Sequence, residues 1–178
     1  MKHQDHVRLL RDGIPTPGGV WADFGSGDGA FTLALADLLG PGARIYSVDR
    51  EAHSLERQAI SMALQFPDVQ VTYLTADYTR RLELPPLDGI VMANSLHFQR
   101  AKEGVLALAL GYLRPGGRLL LVEYNSDHGN MWVPYPLSYP TWEDLATASG
   151  FVQTRLLGAT PSRFLREIYS AESLKAAE

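Results

Sequence analysis

The sequence predicts an α/β fold: a mostly parallel sheet with helices on both faces. Three observations carry that prediction. Short runs of consecutive apolar residues alternate with segments of helical periodicity as far as residue 123. A glycine-rich turn, Gly25-Ser26-Gly27-Asp28-Gly29, joins the first apolar run to the first long helix. Four successive runs end in a short polar side chain: Asp23, Asp49, Asp77 and Asn94. Runs apolar on both sides suit strands buried between two helical layers.

In chain order, residues 3–12 form a short helix with Val7 and Leu10 on one side, and residues 13–19, rich in Gly and Pro, break the chain. The first strand is 20–24. The helix after the glycine turn carries Phe31, Ala34, Leu35 and Leu38 at helical spacing and stops at Gly40-Pro41-Gly42. A strand at 43–48 ends in Asp49. The next helix, 51–66, has a buried stripe of Leu55, Ala59, Met62, Ala63 and Phe66, and Pro67 stops it. A strand at 69–74 ends near Asp77. A polar stretch with Pro85-Pro86 leads to a strand at 87–93, ending at Asn94. Then come a helix over 102–113, with Val105, Leu108, Ala109 and Tyr112 on one face, a turn at Arg114-Pro115-Gly116-Gly117, and a strand at 118–123.

Beyond residue 123 the pattern changes. Residues 124–140 are dense in Tyr, Trp and Pro. Thr141-Trp142-Glu143-Asp144 resembles a capping box with Asp in place of Glu and opens a short helix ending at Gly150. Strands at 151–157 and 163–169, joined by 158–162, read as an antiparallel hairpin. The polarity of Gln153, Arg155, Arg166 and Glu167 places this pair in the sheet's edge region. Residues 171–178 read as a frayed polar tail.

Composition bounds the function. The 178 residues carry a net charge of −4, which disfavours a large nucleic-acid footprint. There is no cysteine, which excludes disulfides, a thiolate nucleophile and a Cys-ligated metal. No His/Asp/Glu spacing makes a convincing metal site. No apolar run approaches a membrane span, and the N-terminus lacks the layout of a signal peptide. The expectation is a cytoplasmic protein.

In open α/β sheets, ligands sit at the carboxyl ends of the strands. One Asp there is usually a cap or turn former; four polar ends in phase with a glycine-rich turn point to a site. Gly25, Gly27 and Gly29, with Ser26 among them, let a ligand approach the main chain, and the helix that follows presents unpaired N–H groups. Asp49, 20 residues after Gly29 and next to Arg50, can accept hydrogen bonds from two ribose hydroxyls. Asp77 can accept from an exocyclic amine such as that of adenine, or simply cap its own turn. Tyr78 packs on a purine face or covers the sheet. The turn also satisfies the dinucleotide pattern G-x-G-x-x-G/A. Two features weigh against that reading. Asp28 lies inside the turn, where an anion repels pyrophosphate, and Asp23 adds a second carboxylate. A nucleoside carrying positive charge suits the site, and S-adenosylmethionine, with its ammonium and sulfonium groups, fits.

These residues resemble the class I S-adenosylmethionine-dependent methyltransferases. Asp23-Phe24-Gly25-Ser26-Gly27-Asp28-Gly29 matches the D/E-x-G-x-G-x-G first motif, Val48-Asp49 the acidic end of strand two, and Ala76-Asp77 the adenine-proximal motif. The segment from Leu87 to Asn94 is similar to the strand-four motif, and Leu113-Arg114-Pro115-Gly116-Gly117-Arg118-Leu119 to the turn before strand five. The match covers residues 19–123. It implies a Rossmann-like, seven-stranded sheet of order 3-2-1-4-5-7-6 with strand seven antiparallel. It also implies a single domain: a short N-terminal helix or lid (1–18), a cofactor-binding core (19–123), an aromatic loop, short helix and strand pair (124–170) and the tail. Asn94-Ser95-Leu96-His97-Phe98 looks most like the small-molecule, quinone-biosynthesis-like branch, and Asn-Pro-Pro-Tyr, the mark of base and glutamine amino-methylation, does not follow strand four.

Methyl transfer from a sulfonium needs alignment more than acid–base help, because the leaving group needs no proton. Candidates for a base are His97, just beyond the fourth strand, with helix capping as its alternative, and His128 in the aromatic loop. That loop, with Tyr124, Trp132, Tyr135, Tyr139 and Trp142, either roofs a pocket for an aromatic or apolar acceptor or covers the sheet edge. The sequence leaves open a homodimer. It also leaves two rival functions: an NAD-dependent oxidoreductase, and a non-catalytic S-adenosylmethionine-binding or partner protein.

Overall fold

A computed structural model describes residues 1–162 and 164–177. Its sheet has seven strands. Five come from the alternating part of the chain: β1 (Val20–Phe24), β2 (Arg44–Asp49), β3 (Gln70–Thr75), β4 (Leu87–Ala93) and β5 (Leu113–Tyr124). The last two are β6 (Val152–Ser162) and β7 (Arg166–Leu174). The spatial order is β3-β2-β1-β4-β5-β7-β6. Strands β1 to β5 pair in parallel, and β7 runs antiparallel to both β5 and β6. This is the Rossmann-like arrangement expected.

Alternate side chains of each strand serve opposite faces. Leu119 and Leu121 join one apolar cluster with Phe24, Met92, Trp142 and Tyr169. Leu120 and Val122 join the other with Trp21, Leu35, Ile45 and Val91. Helices α1 (His3–Arg11), α2 (Ala30–Leu39) and α3 (Ala52–Gln65) feed the second cluster, α4 (Glu103–Tyr112) and α5 (Tyr139–Ala148) the first. Every residue of β1 is buried. Gly89 of β4 leaves room for the ring of Trp21 beside it; a Cβ there would stand 2.2 Å from that ring.

The carboxyl-terminal third departs from the sequence reading in four ways. Residues 158–162 are not a loop: they continue β6, and the hairpin turn lies beyond them. Polarity misleads here because β6 is the sheet's edge, where polar side chains face water and β-pairing needs only main chain. Residues 171–174 are not a frayed tail: Ala171, Glu172 and Ser173 are buried in β7 between two strands. Glu172 is tolerated there because Arg118 and Arg155 both donate to it, the latter over 2.6 Å. Strand β5 starts at Leu113, since Leu113 already pairs with Leu87, and Gly116 and Gly117 hydrogen-bond to Lys175 and Ala176 just past β7. Finally, α5 begins two residues before Thr141. Ser138 holds extended dihedrals at its cap, Pro140 occupies the first turn, and Asp127 accepts both the N–H and the hydroxyl of Ser138. On α3 the expected Ala63 is exposed and Gln58 is buried in its stead. Arg163, the expected start of the last strand, and Glu178 lie outside the described residues.

Candidate functional site

Three of the four polar strand ends, Asp49, Asp77 and Asn94, meet at one cleft, and Asp23 does not line it. Gly25, Asp49, Arg50, Asp77, Tyr78 and Asn94 line this cleft of about 170 Å³, together with Glu51, Ser95, Phe98 and Gln99. Its floor is the glycine turn between β1 and α2. Gly25 has φ +74°, and a Cβ on it would meet Ser95 at 2.5 Å; Gly29 has φ +88°, and a Cβ on it would meet Gln58 at 2.3 Å. Both positions therefore need glycine for conformation and for space.

The peptide of Gly27 is gripped at both ends. Its N–H donates to Asp49 Oδ2 over 2.8 Å, and its carbonyl accepts from Gln58 Nε2 over 3.1 Å. Asp49 Oδ1 accepts the Glu51 N–H at 2.9 Å. Both carboxylate oxygens are thus fixed, and each retains a lone pair for a further donor. Asp77 Oδ1 accepts the N–H and the hydroxyl of Thr79, at 2.9 and 2.7 Å, which hold its pKa below the ordinary carboxylate value. That is the turn-capping alternative, and it leaves Oδ2 without a hydrogen-bond partner among the described residues. Tyr78 stacks parallel to Phe24 and donates its hydroxyl to Ser95 O at 2.8 Å, so it covers the sheet while lining the cleft. Asn94 has φ +52°, a left-handed conformation Asn tolerates. Its Oδ1 and the Ser95 Oγ are buried and, among the described residues, without a hydrogen-bond partner.

Four expected cofactor residues, Asp23, Ser26, Gly27 and Gly29, do not line the cleft. Asp23 is buried, accepts from Thr32 Oγ1 at 2.7 Å, and has its pKa raised to about 7 by desolvation. Ser26 turns its hydroxyl down to Ser47 and Gln58. Gly29 closes over Gln58. Asp28 corrects a step of the sequence argument: its carboxylate points out of the turn, pairs with Arg57 at 2.6 Å and is exposed, so its charge does not guard the turn against phosphate.

The two histidines fare differently. His97, in a 3₁₀ turn (Leu96–Phe98), is buried, and its Nδ1 lies 2.9 Å from Glu123 Oε1. Its carbonyl accepts the Tyr135 N–H at 3.0 Å, while Lys102 Nζ donates to Gln99 O and Tyr135 O. His97 therefore ties the 3₁₀ turn to the end of β5 through its side chain and to the loop through its carbonyl, and lines neither this cleft nor the one beside it. His128, the other candidate base, is exposed in the loop and also lines neither of these two clefts. The aromatic loop is split: Trp142 is a core residue, Trp132 is 71% exposed, and only Tyr124 faces a cleft at this end of the sheet.

Against families of known proteins, residues 16–160 match the model of a methyltransferase domain. The chain belongs to that family. The methyltransferase match contains every residue of the cleft. Its fold is shared by solved structures of low identity. A Burkholderia thailandensis 1,6-didemethyltoxoflavin-N1-methyltransferase with bound 1,6-didemethyltoxoflavin and S-adenosylhomocysteine is 20% identical, with a TM-score of 0.76 over 98% of this chain and 78% of that one. A Synechocystis magnesium protoporphyrin IX methyltransferase with bound S-adenosylmethionine is 19% identical, with a TM-score of 0.73 over 97% and 77%. A Haemonchus contortus phosphoethanolamine N-methyltransferase is 15% identical, with a TM-score of 0.78 over 97% and 52%. No curated protein sequence matches.

Two residues that support the candidate site without lining it, Gln58 and Glu123, escaped sequence reasoning. Gln58 looks like a solvated helix residue, and its only signal is the break in the stripe at 55–62 that the expected Ala63 was meant to continue. Glu123 closes an apolar strand, as Asp23 and Asp49 do, and could have been read the same way. Among the described residues no helix is long and apolar enough to cross a membrane, and no group of three metal-ligating side chains occurs.

Proposed function

We propose that this methyltransferase uses S-adenosylmethionine and methylates a small, aromatic or apolar acceptor. One observation carries the reading: Asp49 stands at the end of β2 with both oxygens oriented by backbone N–H groups and facing the cleft. That arrangement suits the paired hydroxyls of a ribose. The unpartnered Ser95 Oγ gives the cleft a further polar anchor. Bound there, S-adenosylmethionine supplies an activated methyl group. The chain's own part is to hold it. Asp49 would accept from the ribose, Asp77 from the adenine amine, and the Gly25–Gly29 turn would receive the remainder. Arg50 and Tyr78 would flank the base. His97 and Glu123 are read as a positioning pair that fixes the 3₁₀ turn, with no group needed to protonate the leaving thioether.

Calorimetric titration with S-adenosylmethionine, S-adenosylhomocysteine and NAD tests the reading. The first two bind and NAD does not. Hydrogen bonds to a charged group are worth roughly 1.5–3 kcal/mol each, so Asp49→Ala weakens cofactor binding by about tenfold to several hundredfold. Binding of NAD alone, or unchanged affinity in the variant, overturns it.

A further inference from the structure

A second cleft, of about 490 Å³, opens on the other side of Asn94. Its walls are Tyr124 at the end of β5, Thr160 and Pro161 of β6, Phe164 and Ile168 of the hairpin, with Met1 and Asp5 of the N-terminal segment at its rim. Asn94 is the one residue common to this cleft and the cofactor cleft. From these features we infer that the second cleft is the acceptor site, and that it takes a planar, uncharged aromatic molecule whose N–H or O–H is directed at Asn94 Oδ1. The inference rests on the methyl-transfer reading for the meaning of "acceptor"; the binding site itself does not.

Six features support it. A cavity of this size suits a molecule of about two or three rings. The walls set Tyr124, Pro161, Phe164 and Ile168 against the polar Asn94, Thr160 and Ser162, a mixture of apolar surface and polar anchors that can both hold and orient a ligand. Asn94 Oδ1 is buried with no partner among the described residues, a costly arrangement that a donor on the ligand would relieve. Phe164 is 66% exposed at the mouth, an apolar ring with nothing packed over it. Burial and the neighbouring Glu123 charge raise the pKa of Tyr124, so its hydroxyl stays protonated and can orient a polar edge. Asp5 at the rim already accepts the Lys2 N–H and, as an anion, disfavours an anionic ligand. The expected roof of Trp132 and Trp142 plays no part. The larger groove between residues 81–86 and α4 lies at the opposite, amino-terminal ends of the strands and shares no residue with the cofactor cleft.

The probe is N-phenyl-1-naphthylamine: neutral, aromatic, with one N–H, and fluorescent when removed from water. It is titrated into the full chain with and without saturating S-adenosylhomocysteine. The expected result is saturable binding at one site, not displaced by S-adenosylhomocysteine. Thr160→Trp, which fills the cleft from a half-exposed strand position, abolishes it, and Asn94→Ala weakens it about tenfold. Leu108→Trp, in the remote groove, leaves it unchanged. Circular dichroism establishes that each variant is folded, and Phe164→Ala, which removes the exposed wall, replaces Thr160→Trp if that variant is not. Displacement by S-adenosylhomocysteine, indifference to the cleft variants, or loss in Leu108→Trp overturns the assignment. Cofactor titrations on the same samples separate the two readings: if S-adenosylmethionine fails to bind while the probe behaves as expected, the methyl-transfer reading fails and the site stands.

Discussion

Asp23 is an acid held where water cannot reach it. Thr32 supplies one hydrogen bond, yet desolvation outweighs it and the nearby Asp49 charge adds to the effect, lifting the pKa from 3.8 to about 7. Below about pH 4 both folded and unfolded chains carry the proton, and Asp23 does not alter their balance. Between there and pH 7 the unfolded chain has lost the proton while the folded chain keeps it. Stability therefore falls as pH rises through this window and the deficit is constant above it. Asp23→Asn lacks the titration. Relative to it, the native chain should lose on the order of 2–4 kcal/mol between pH 4 and pH 7, at about 1.4 kcal/mol per unit. Urea unfolding of both proteins at pH 4.5, 5.5, 6.5 and 7.5 measures this; parallel profiles would sink it. At this scale the sequence was a good guide to which residues meet and a poor one to what each does. Asp49, Asp77, Asn94 and Gly25 share a cleft because strand ends in a parallel sheet must. Orientation is another matter: Asp28 faces out because Arg57, 29 residues on, offers it a partner, and nothing local to the turn announces that.

At the scale of elements, β7 bears the most weight for the fewest signals. It lies between β5 and β6, with Ala171 in register with Leu121 on one side and Leu156 on the other, fully buried. Ala171→Asp sets an unpaired charge there. It should leave little folded protein at 25 °C, seen as loss of the cooperative thermal transition by circular dichroism. A frayed tail would show no change. Strands β1, β2, β4 and the helices between them were legible because consecutive apolar residues and 3.6-residue periodicity differ sharply. In β7 the sequence Ser170-Ala171-Glu172-Ser173 is small and polar, and its burial depends on Arg118 and Arg155 arriving from two other strands. No window of sequence contains those partners.

The whole molecule divides by the direction of its strands. Both clefts assigned to ligands lie at the carboxyl ends of the parallel strands, and the groove beside residues 81–86 lies at the amino ends. Hydrogen exchange should show this polarity. Saturating S-adenosylhomocysteine should raise protection at residues 25–30 and 94–99 and leave residues 81–86 and the last turn of α4 unchanged; protection spread evenly over both ends would refute it. The strand order carries a further consequence, for biosynthesis. A ribosome makes β6 before β7, yet β7 is the strand through which β6 pairs with the sheet. The first five strands can assemble in the order they emerge. The edge strand, and with it the wall of the second cleft formed by Thr160 and Pro161, must wait for the strand that follows it. During translation this chain thus has an interval in which the cofactor corner is assembled and the acceptor wall is not.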